Sequence, residues 1–138
     1  KTLAAFPVIE AEEGLQLAIE DPAADVRIVA CEAWSRRGGA EAVRQLTETL
    51  NSDTDTDVRL AATRGLARFR NPEVVQSLAT ALNASDPALQ HAGMQSLQAV
   101  SGRDYGHNIS AWREFVQGRD PQVSAPVIAR RYWPWQWF

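Results

Sequence analysis

Three aspartates alternate along one short stretch of the sequence, at Asp53, Asp55 and Asp57. Carboxylates at alternate positions open the calcium loop of an EF-hand, in which a glycine makes the turn at the sixth position and a glutamate closes the loop at the twelfth. Val58 and Arg64 occupy those two positions here, so the pattern does not predict a calcium site. We expect instead a polar turn whose aspartates cap the following helix and complement its dipole.

Nucleophilic catalysis would require a cysteine or serine beside a base. The chain has one cysteine, Cys31, and two histidines, His91 and His107. We expect Cys31 and His91 to lie on the same exposed face, too far apart for a hydrogen bond. The sequence contains no glycine-rich phosphate loop and no histidine or cysteine cluster with metal-ligand spacing. It therefore predicts a protein without a catalytic site, metal or cofactor.

The last nine residues are dense in aromatic and cationic side chains. They include Arg130, Arg131, Tyr132, Trp133, Trp135, Trp137 and Phe138. Tryptophan and tyrosine favour membrane interfaces and arginine pairs with anionic headgroups, while the same residue types dominate protein interfaces. Three alternatives stay open for this aromatic tail: a membrane surface, a groove on a partner protein, or the chain's own hydrophobic end.

Composition narrows the class of protein. The chain has 138 residues, of which 45% are hydrophobic and 22% charged, values that fit one compact domain or a short repeat array. A net charge of -3 gives no general electrostatic reason to bind nucleic acid, so we expect no such partner. No apolar run approaches the ~20 residues that span a bilayer. The compartment stays open, with export or a peripheral membrane location as alternatives.

A repeated pattern must position these residues. The stretch Asp57-Val58-Arg59-Leu60-Ala61-Ala62 has counterparts at Asp25-Val26-Arg27-Ile28-Val29-Ala30 and at Ala88-Leu89-Gln90-His91-Ala92-Gly93. Val26 and Val58 are 32 residues apart, and Val58 and Leu89 are 31 apart. Leu15, Leu46 and Leu78 show the same spacings in the preceding helices. A period of this length indicates a solenoid.

Each period contains two apolar helical patterns, the first pair being predicted at Val8 to Ile19 and at about Ala23 to Arg36. The buried stripe of that second helix is predicted to contain Val26, Val29, Ala30, Ala33 and Trp34. The sequence thus predicts an all-α fold, an α-solenoid of about three antiparallel helix pairs over residues 1–100.

The period is lost after Val100. Residues 101–118 are predicted to form a capping turn and helix, with the helix at Ile109 to Val116 and Ser110 as its N-cap. Residues 119–138 contain Pro121, Pro126 and Pro134, so we expect an extended tail.

The region from about Val8 to Val100 resembles HEAT repeats, in particular the short bacterial form called bilin-lyase-like. An Asp-Val-Arg run opens the second helix, and Ala-Ala follows four residues later, as at Asp57. The resemblance implies that Asp25 and Asp57 cap helices. It also implies that Arg27 and Arg59 reach polar groups of a neighbouring repeat.

The third unit departs from this pattern, since Ala88 and Gln90 replace the aspartate and arginine. We call the recurring contacts of these aspartates and arginines between successive repeats the Asp-Arg ladder. We expect the ladder to stop at the third unit, which lies near the end of the repeat array.

The outward face of the second helices is the predicted binding surface, because this face commonly lines a concave groove in solenoids. The residues predicted to point away from the core are Ile28, Cys31, Glu32, Ser35, Leu60, Thr63, Arg64, Ala67, His91, Met94, Gln95 and Gln98. The candidate partner-binding residues among them are Glu32, Arg64, His91, Met94 and Gln95. We predict a non-catalytic protein-protein interaction scaffold or assembly subunit whose tail docks to a partner or membrane. The alternative, which the family resemblance alone suggests, is a bilin-lyase-like enzyme or its accessory subunit.

Overall fold

The computed structural model describes residues 8–119 and 121. Within these ranges it contains seven α-helices and no strand. They are α1 Val8–Ile19, α2 Ala24–Arg37, α3 Ala40–Ser52, α4 Thr56–Leu66, α5 Pro72–Leu82, α6 Pro87–Ser101 and α7 Ile109–Val116. The predicted all-α class is confirmed.

The first six helices form three hairpins that stack side by side. Short links join α1 to α2, α3 to α4 and α5 to α6, and the two helices of each hairpin pack together. The second helices α2, α4 and α6 pack on one another in order, as do the first helices α1, α3 and α5. The result is the predicted two-layer α-solenoid.

The core lies between the two layers and repeats with the sequence. Leu46 and Leu78 occupy equivalent positions in successive first helices, and both are fully buried. The second helices contribute Trp34, Leu66 and Leu97, which are spaced by 32 and 31 residues and are also fully buried. Neither layer could bury this apolar surface alone, so stacking stabilises both.

A glycine allows the closest approach inside a hairpin. A Cβ placed on Gly93 of α6 would lie 2.8 Å from the Cβ of Ala81 in α5. Real Cβ atoms do not approach so closely, which means that α6 can pack at this depth only without a side chain at position 93.

The prediction for the second helices is wrong at several positions. Val26 is 38% and Val29 60% exposed, because they lie on the side of α2 where no described helix packs. Conversely, Cys31 and Thr63 are fully buried and Met94 is 9% exposed, although all three were expected to point outward. Ser35 is also buried. A second helix that packs on a parallel neighbour as well as on its hairpin partner buries a wider surface than a single stripe, which the periodicity does not reveal.

The predicted capping of α4 by the aspartate turn is confirmed at Asp55, whereas other helix starts differ from the prediction. Asp55 is the N-cap of α4, and its Oδ1 accepts from the backbone N–H of Asp57 at 2.8 Å. Asp25 and Asp57 lie in the first turns of α2 and α4, so their implied capping role is wrong; a carboxylate there still complements the helix dipole. The cap of α7 is Asn108, which accepts from Ala111 N–H, and not Ser110.

The seventh helix covers the C-terminal end of the stack. It packs against α5 and, less extensively, α6. Trp112 is fully buried, and its Nε1 donates to the carbonyl of Gly106 at 3.0 Å. Gln76 of α5 donates to the carbonyl of Val116 at 2.6 Å. These contacts fix the predicted capping helix on the last hairpin.

Candidate protein-interaction surface

A cleft of about 490 Å³ opens between α2 and α4 on the exposed side of the second helices. Its lining residues are Ile28, Glu32, Ser35, Arg36, Asp57, Leu60, Ala61, Arg64, Gly65 and Arg68. The two helices approach closely at Gly65, where an added Cβ would lie 3.3 Å from Ser35 Cβ. The half-buried side chains of Ile28 and Leu60 give the cleft an apolar component.

The cleft carries more positive than negative charge. Arg36, Arg64 and Arg68 are exposed, and Glu32 and Asp57 are the acidic lining residues. None of the three guanidinium groups forms an ion pair or hydrogen bond with a residue in the described ranges. Because a guanidinium can hold a carboxylate through two parallel hydrogen bonds, these groups can bind acidic side chains from another molecule.

Polar contacts between hairpins hold the helices that line this cleft. Arg27 donates from Nε to Asp53 Oδ2 at 2.8 Å and from Nη2 to Oδ1 at 3.2 Å. Its Nη1 also donates to the carbonyls of Asp21 and Pro22. The hydrogen bond with Asp53 is the main cause that raises the pKa of Arg27. Arg27 therefore makes the inter-repeat contact that the family resemblance implies.

The equivalent side chains of the later hairpins, Arg59 and Gln90, form no ion pair within the described residues. Arg59 donates to the carbonyl of Leu50 at 2.8 Å, within its own hairpin, so its implied reach to a neighbouring repeat is wrong. Gln90 donates to the carbonyl of Ala84 at 2.7 Å, without a charge. Among the described residues the contact between an arginine and an aspartate of the next hairpin is made by Arg27 but not by Arg59, so the series ends one unit earlier than predicted.

The groups considered for catalysis or metal binding are occupied or separated. Burial raises the pKa of the Cys31 thiol to about 12. Cys31 is fully buried, so the prediction that it shares an exposed face with His91 is wrong. His91 is exposed and stacks on His107 at 5.0 Å between ring centroids. Asp53 is held by Arg27. Among the described residues, no group of three His, Cys, Asp or Glu side chains is placed to hold a metal.

The predicted binding residues fall into four groups. Glu32 and Arg64 line the cleft, whereas His91 and Gln95 lie exposed on α6. Met94 is buried, so the expectation that it contributes to an exposed face is wrong. The residues of the aromatic tail, Arg130, Arg131, Tyr132, Trp133, Trp135, Trp137 and Phe138, lie outside the described residues.

Sequence reasoning missed two of the three cleft arginines. Arg36 and Arg68 are 32 residues apart, one period, so their recurrence was a usable signal. The stacking of His91 on His107 had no such signal, because residues 101–108 follow the last repeat and have no counterpart to align.

Of the helices whose coordinates are described, none is long and apolar enough to cross a membrane.

A family model described as HEAT repeats matches residues 11–98, more than half of the chain. This range runs from within α1 to within α6 and so covers the three hairpins except for a few residues at each end. The match is to HEAT repeats in general and does not single out the bilin-lyase-like form. A search of curated proteins finds no match.

Proposed function

The chain belongs to the HEAT-repeat family, and on that basis we propose that it is a non-catalytic scaffold or assembly subunit that holds a protein partner in the α2–α4 cleft. HEAT repeats generally mediate protein-protein interactions. The observation that carries this proposal is the set of three exposed cleft arginines, none of which pairs with a described residue.

The chemistry of the cleft indicates the kind of segment that fits it. Arg36, Arg64 and Arg68 favour carboxylates, and each charge-assisted hydrogen bond contributes about 1.5–3 kcal/mol. Ile28 and Leu60 offer apolar contact beside these charges. We therefore infer an acidic partner segment with an apolar anchor residue. The outward surface of α6, with His91 and Gln95, would extend the contact along the stack.

Charge reversal in the cleft tests the proposal. Immobilised wild-type chain and the Arg64→Glu/Arg68→Glu variant are compared for proteins captured from native extract. We expect the variant to lose the captured partner while its helical circular dichroism is unchanged. Arg119→Glu is the matched control, because Arg119 is exposed but lies outside the cleft.

Capture is followed by a direct measurement. The binding of an acidic peptide from the captured protein is then measured by calorimetric titration. Each cleft arginine removed should raise the Kd of this peptide about tenfold or more. Equal capture and equal Kd for the cleft variant and the Arg119→Glu control would contradict the cleft as the binding site.

We propose the aromatic tail as a second docking element, for a protein groove or a membrane surface. One observation supports this role: α7 already covers the C-terminal end of the stack, so that end does not require the tail. Deleting residues 130–138 should weaken partner or membrane association and leave the unfolding transition unchanged. Flotation with neutral and anionic vesicles separates a lipid from a protein target. Unfolding of the truncated chain would show that the tail is structural.

The enzyme alternative rests on resemblance to the bilin-lyase-like subfamily alone, and fold analogy is weak support for chemistry. Incubation with a bilin and an acceptor protein tests it. Covalent transfer of the bilin, detected on denaturing gels by its fluorescence with zinc, would replace the scaffold proposal.

A further inference from the structure

An apolar surface at the N-terminal end of the stack is covered by no described residue. Val26 is 38% and Val29 60% exposed, and both belong to the second helix α2. The half-buried Ala33 lies one helical turn beyond Val29 along the same side. We call the surface formed by Val26, Val29 and Ala33 the α2 end face. Exposed β-branched residues grouped in this way indicate a contact surface.

The same positions are buried wherever a second helix has a preceding neighbour. Val58 and Leu89, the counterparts of Val26, are fully buried. The counterparts of Val29 follow the same trend, since Ala61 is half-buried and Ala92 buried. This side of a second helix is therefore a packing side in α4 and α6.

The small side chain at position 33 also recurs, as Gly65 and then Ser96. A Cβ on Gly65 would lie 3.3 Å from Ser35 of α2, and Ser96 Oγ donates to the carbonyl of Thr63 at 3.2 Å. Each later helix thus meets its predecessor at this column. The equivalent residue of α2, Ala33, also has a small side chain. A further helix could therefore pack on α2 as closely as α4 packs on α2.

The sequence ahead of α1 resembles the end of a second helix. Leu3-Ala4-Ala5-Phe6 matches Leu66-Ala67-Arg68-Phe69, and the two runs are 63 residues apart, the sum of one period of 31 and one of 32. In the later run, Leu66 closes α4 and is fully buried, and Phe69 packs against the core. Residues 1–7 lie outside the described part, so this comparison is one of sequence alone.

We propose that the α2 end face is the stacking surface for the second helix of a further helical hairpin, and that Leu3 and Phe6 are closing residues of that helix. The proposed helix runs parallel to α2 and continues the series of α2–α4 and α4–α6 interfaces. Its contact side would resemble the one that α2 presents to α4, which includes Ile28 and Ser35. This proposal does not depend on the function of the α2–α4 cleft.

An extended chain tests the proposal directly. Residues 40–63, which hold α3 and most of α4, are joined to Lys1, so that Lys1 takes the place of Arg64 and the repeat register is preserved. A Val29→Cys substitution in both the natural and the extended chain reports access to the α2 end face. Labelling of this thiol should slow about tenfold or more in the extended chain, because a buried thiol reacts only after local opening. The extended chain should also unfold in one transition with a higher midpoint.

Register provides the control. Two alanines inserted between Thr63 and Lys1 rotate the added helix by about 200° relative to α2, since each residue turns a helix by about 100°. This variant adds the same hairpin but should neither slow the labelling of residue 29 nor raise the midpoint. Equal labelling in the natural and in-register chains would overturn the proposal.

Two other occupants of the α2 end face give different results. Slow labelling of residue 29 in the natural chain that depends on its concentration, with a dimer in sedimentation, would assign the face to a second copy. Slow labelling at every concentration, lost on deletion of residues 1–7, would mean that this segment alone covers the face. Either result overturns the proposed further hairpin.

Discussion

At the scale of single residues, the polar contact between Arg27 and Asp53 ties the first hairpin to the second. The side chains are 15% and 8% exposed, so both charges are largely removed from water. Asp53 Oδ1 also accepts from the backbone N–H of Asp55 at 2.9 Å. A carboxylate bound on both oxygens fixes the turn from which α4 begins.

Replacing Asp53 with asparagine should lower the thermal unfolding midpoint. The substitution keeps the shape but leaves the Arg27 guanidinium without its counter-charge in a partly buried position. The control is Glu48→Gln, which removes an exposed ion pair with Arg44 and should shift the midpoint much less. An Asp53→Asn variant as stable as Glu48→Gln would contradict a structural role for the inter-hairpin pair.

The thiol of Cys31 should be inert in the folded protein. Burial raises its pKa from 9.0 to about 12, so at pH 8 the thiolate fraction falls about a thousandfold, and the thiolate is the reactive form. Titration with a disulfide reagent should show almost no reaction in buffer and one reactive thiol in denaturant. Rapid reaction in buffer would contradict the burial of Cys31.

Acid should remove one specific stabilising contact on α3. The hydrogen bond from Arg44, followed by that from Gln45, lowers the pKa of Glu41 from 4.5 to about 2. A carboxylate whose pKa is lower in the folded than in the unfolded chain stabilises the fold. This contribution is fully present at pH values above the unfolded-state pKa of 4.5, and it is lost as the pH falls towards 2. The difference in unfolding midpoint between the natural chain and Glu41→Gln should therefore be present at pH 6 and vanish near pH 2. A difference that does not change with pH would contradict this linkage.

At the scale of the elements, the sequence revealed the helices better than their buried faces. The recurrence of Leu46 and Leu78 located the contact between layers, because a period of hydrophobic residues records a shared core. It could not show that Thr63 packs between parallel second helices, since small and polar residues also fit there. The exposure of Val29 was equally hidden, because its counterparts Ala61 and Ala92 face a neighbour that Val29 lacks in the described structure.

The same limit applied to the candidate site. Glu32 and Arg64 were predicted from their outward positions, and both line the cleft. The spacing of Arg36 and Arg68 shows that they occupy equivalent positions, but whether both line one cleft depends on how α2 and α4 pack.

The close approach of α5 and α6 should make Gly93 intolerant of alanine. The added Cβ would lie 2.8 Å from Ala81 Cβ, a methyl fixed on a helix that cannot rotate away. Overpacking costs about 1–3 kcal/mol, which over most of that range outweighs the helix-propensity gain of about 1 kcal/mol. Urea denaturation should show Gly93→Ala to be less stable than Gly65→Ala, whose Cβ meets movable Leu46 methyls as well as Ser35 Cβ at 3.3 Å.

A second substitution separates overpacking from other effects at this contact. Ala81→Gly combined with Gly93→Ala moves the methyl group to the opposite helix and should recover part of the lost stability. If the loss of unfolding free energy in the double variant equalled the sum of the losses in the two single variants, steric contact between positions 81 and 93 would not be the cause.

At the scale of the whole molecule, the two ends of the stack differ. The C-terminal end is closed by α7. The Trp112 ring packs edge-on against Tyr105 and Phe115, with ring centroids 4.8 Å and 5.8 Å apart. The N-terminal end exposes Val26 and Val29. Because each hairpin contacts only its neighbours, the stability of a stack is close to a sum of local terms, and damage should have local effects near an end.

Trp112→Ala should therefore loosen one end of the molecule, and Leu66→Ala should loosen all of it. Removing the buried Trp112 ring costs about 3–5 kcal/mol, but the affected contacts are those of α7 with α5 and α6. Hydrogen exchange followed by mass spectrometry should show faster exchange in α5 to α7 and unchanged protection in α2 and α3. Leu66 lies in α4, which packs on both α2 and α6, so its loss, at about 2–5 kcal/mol, should accelerate exchange along the whole stack. Uniform acceleration in both variants would mean that the hairpins unfold as one cooperative unit, and the additive description of this solenoid would then be wrong.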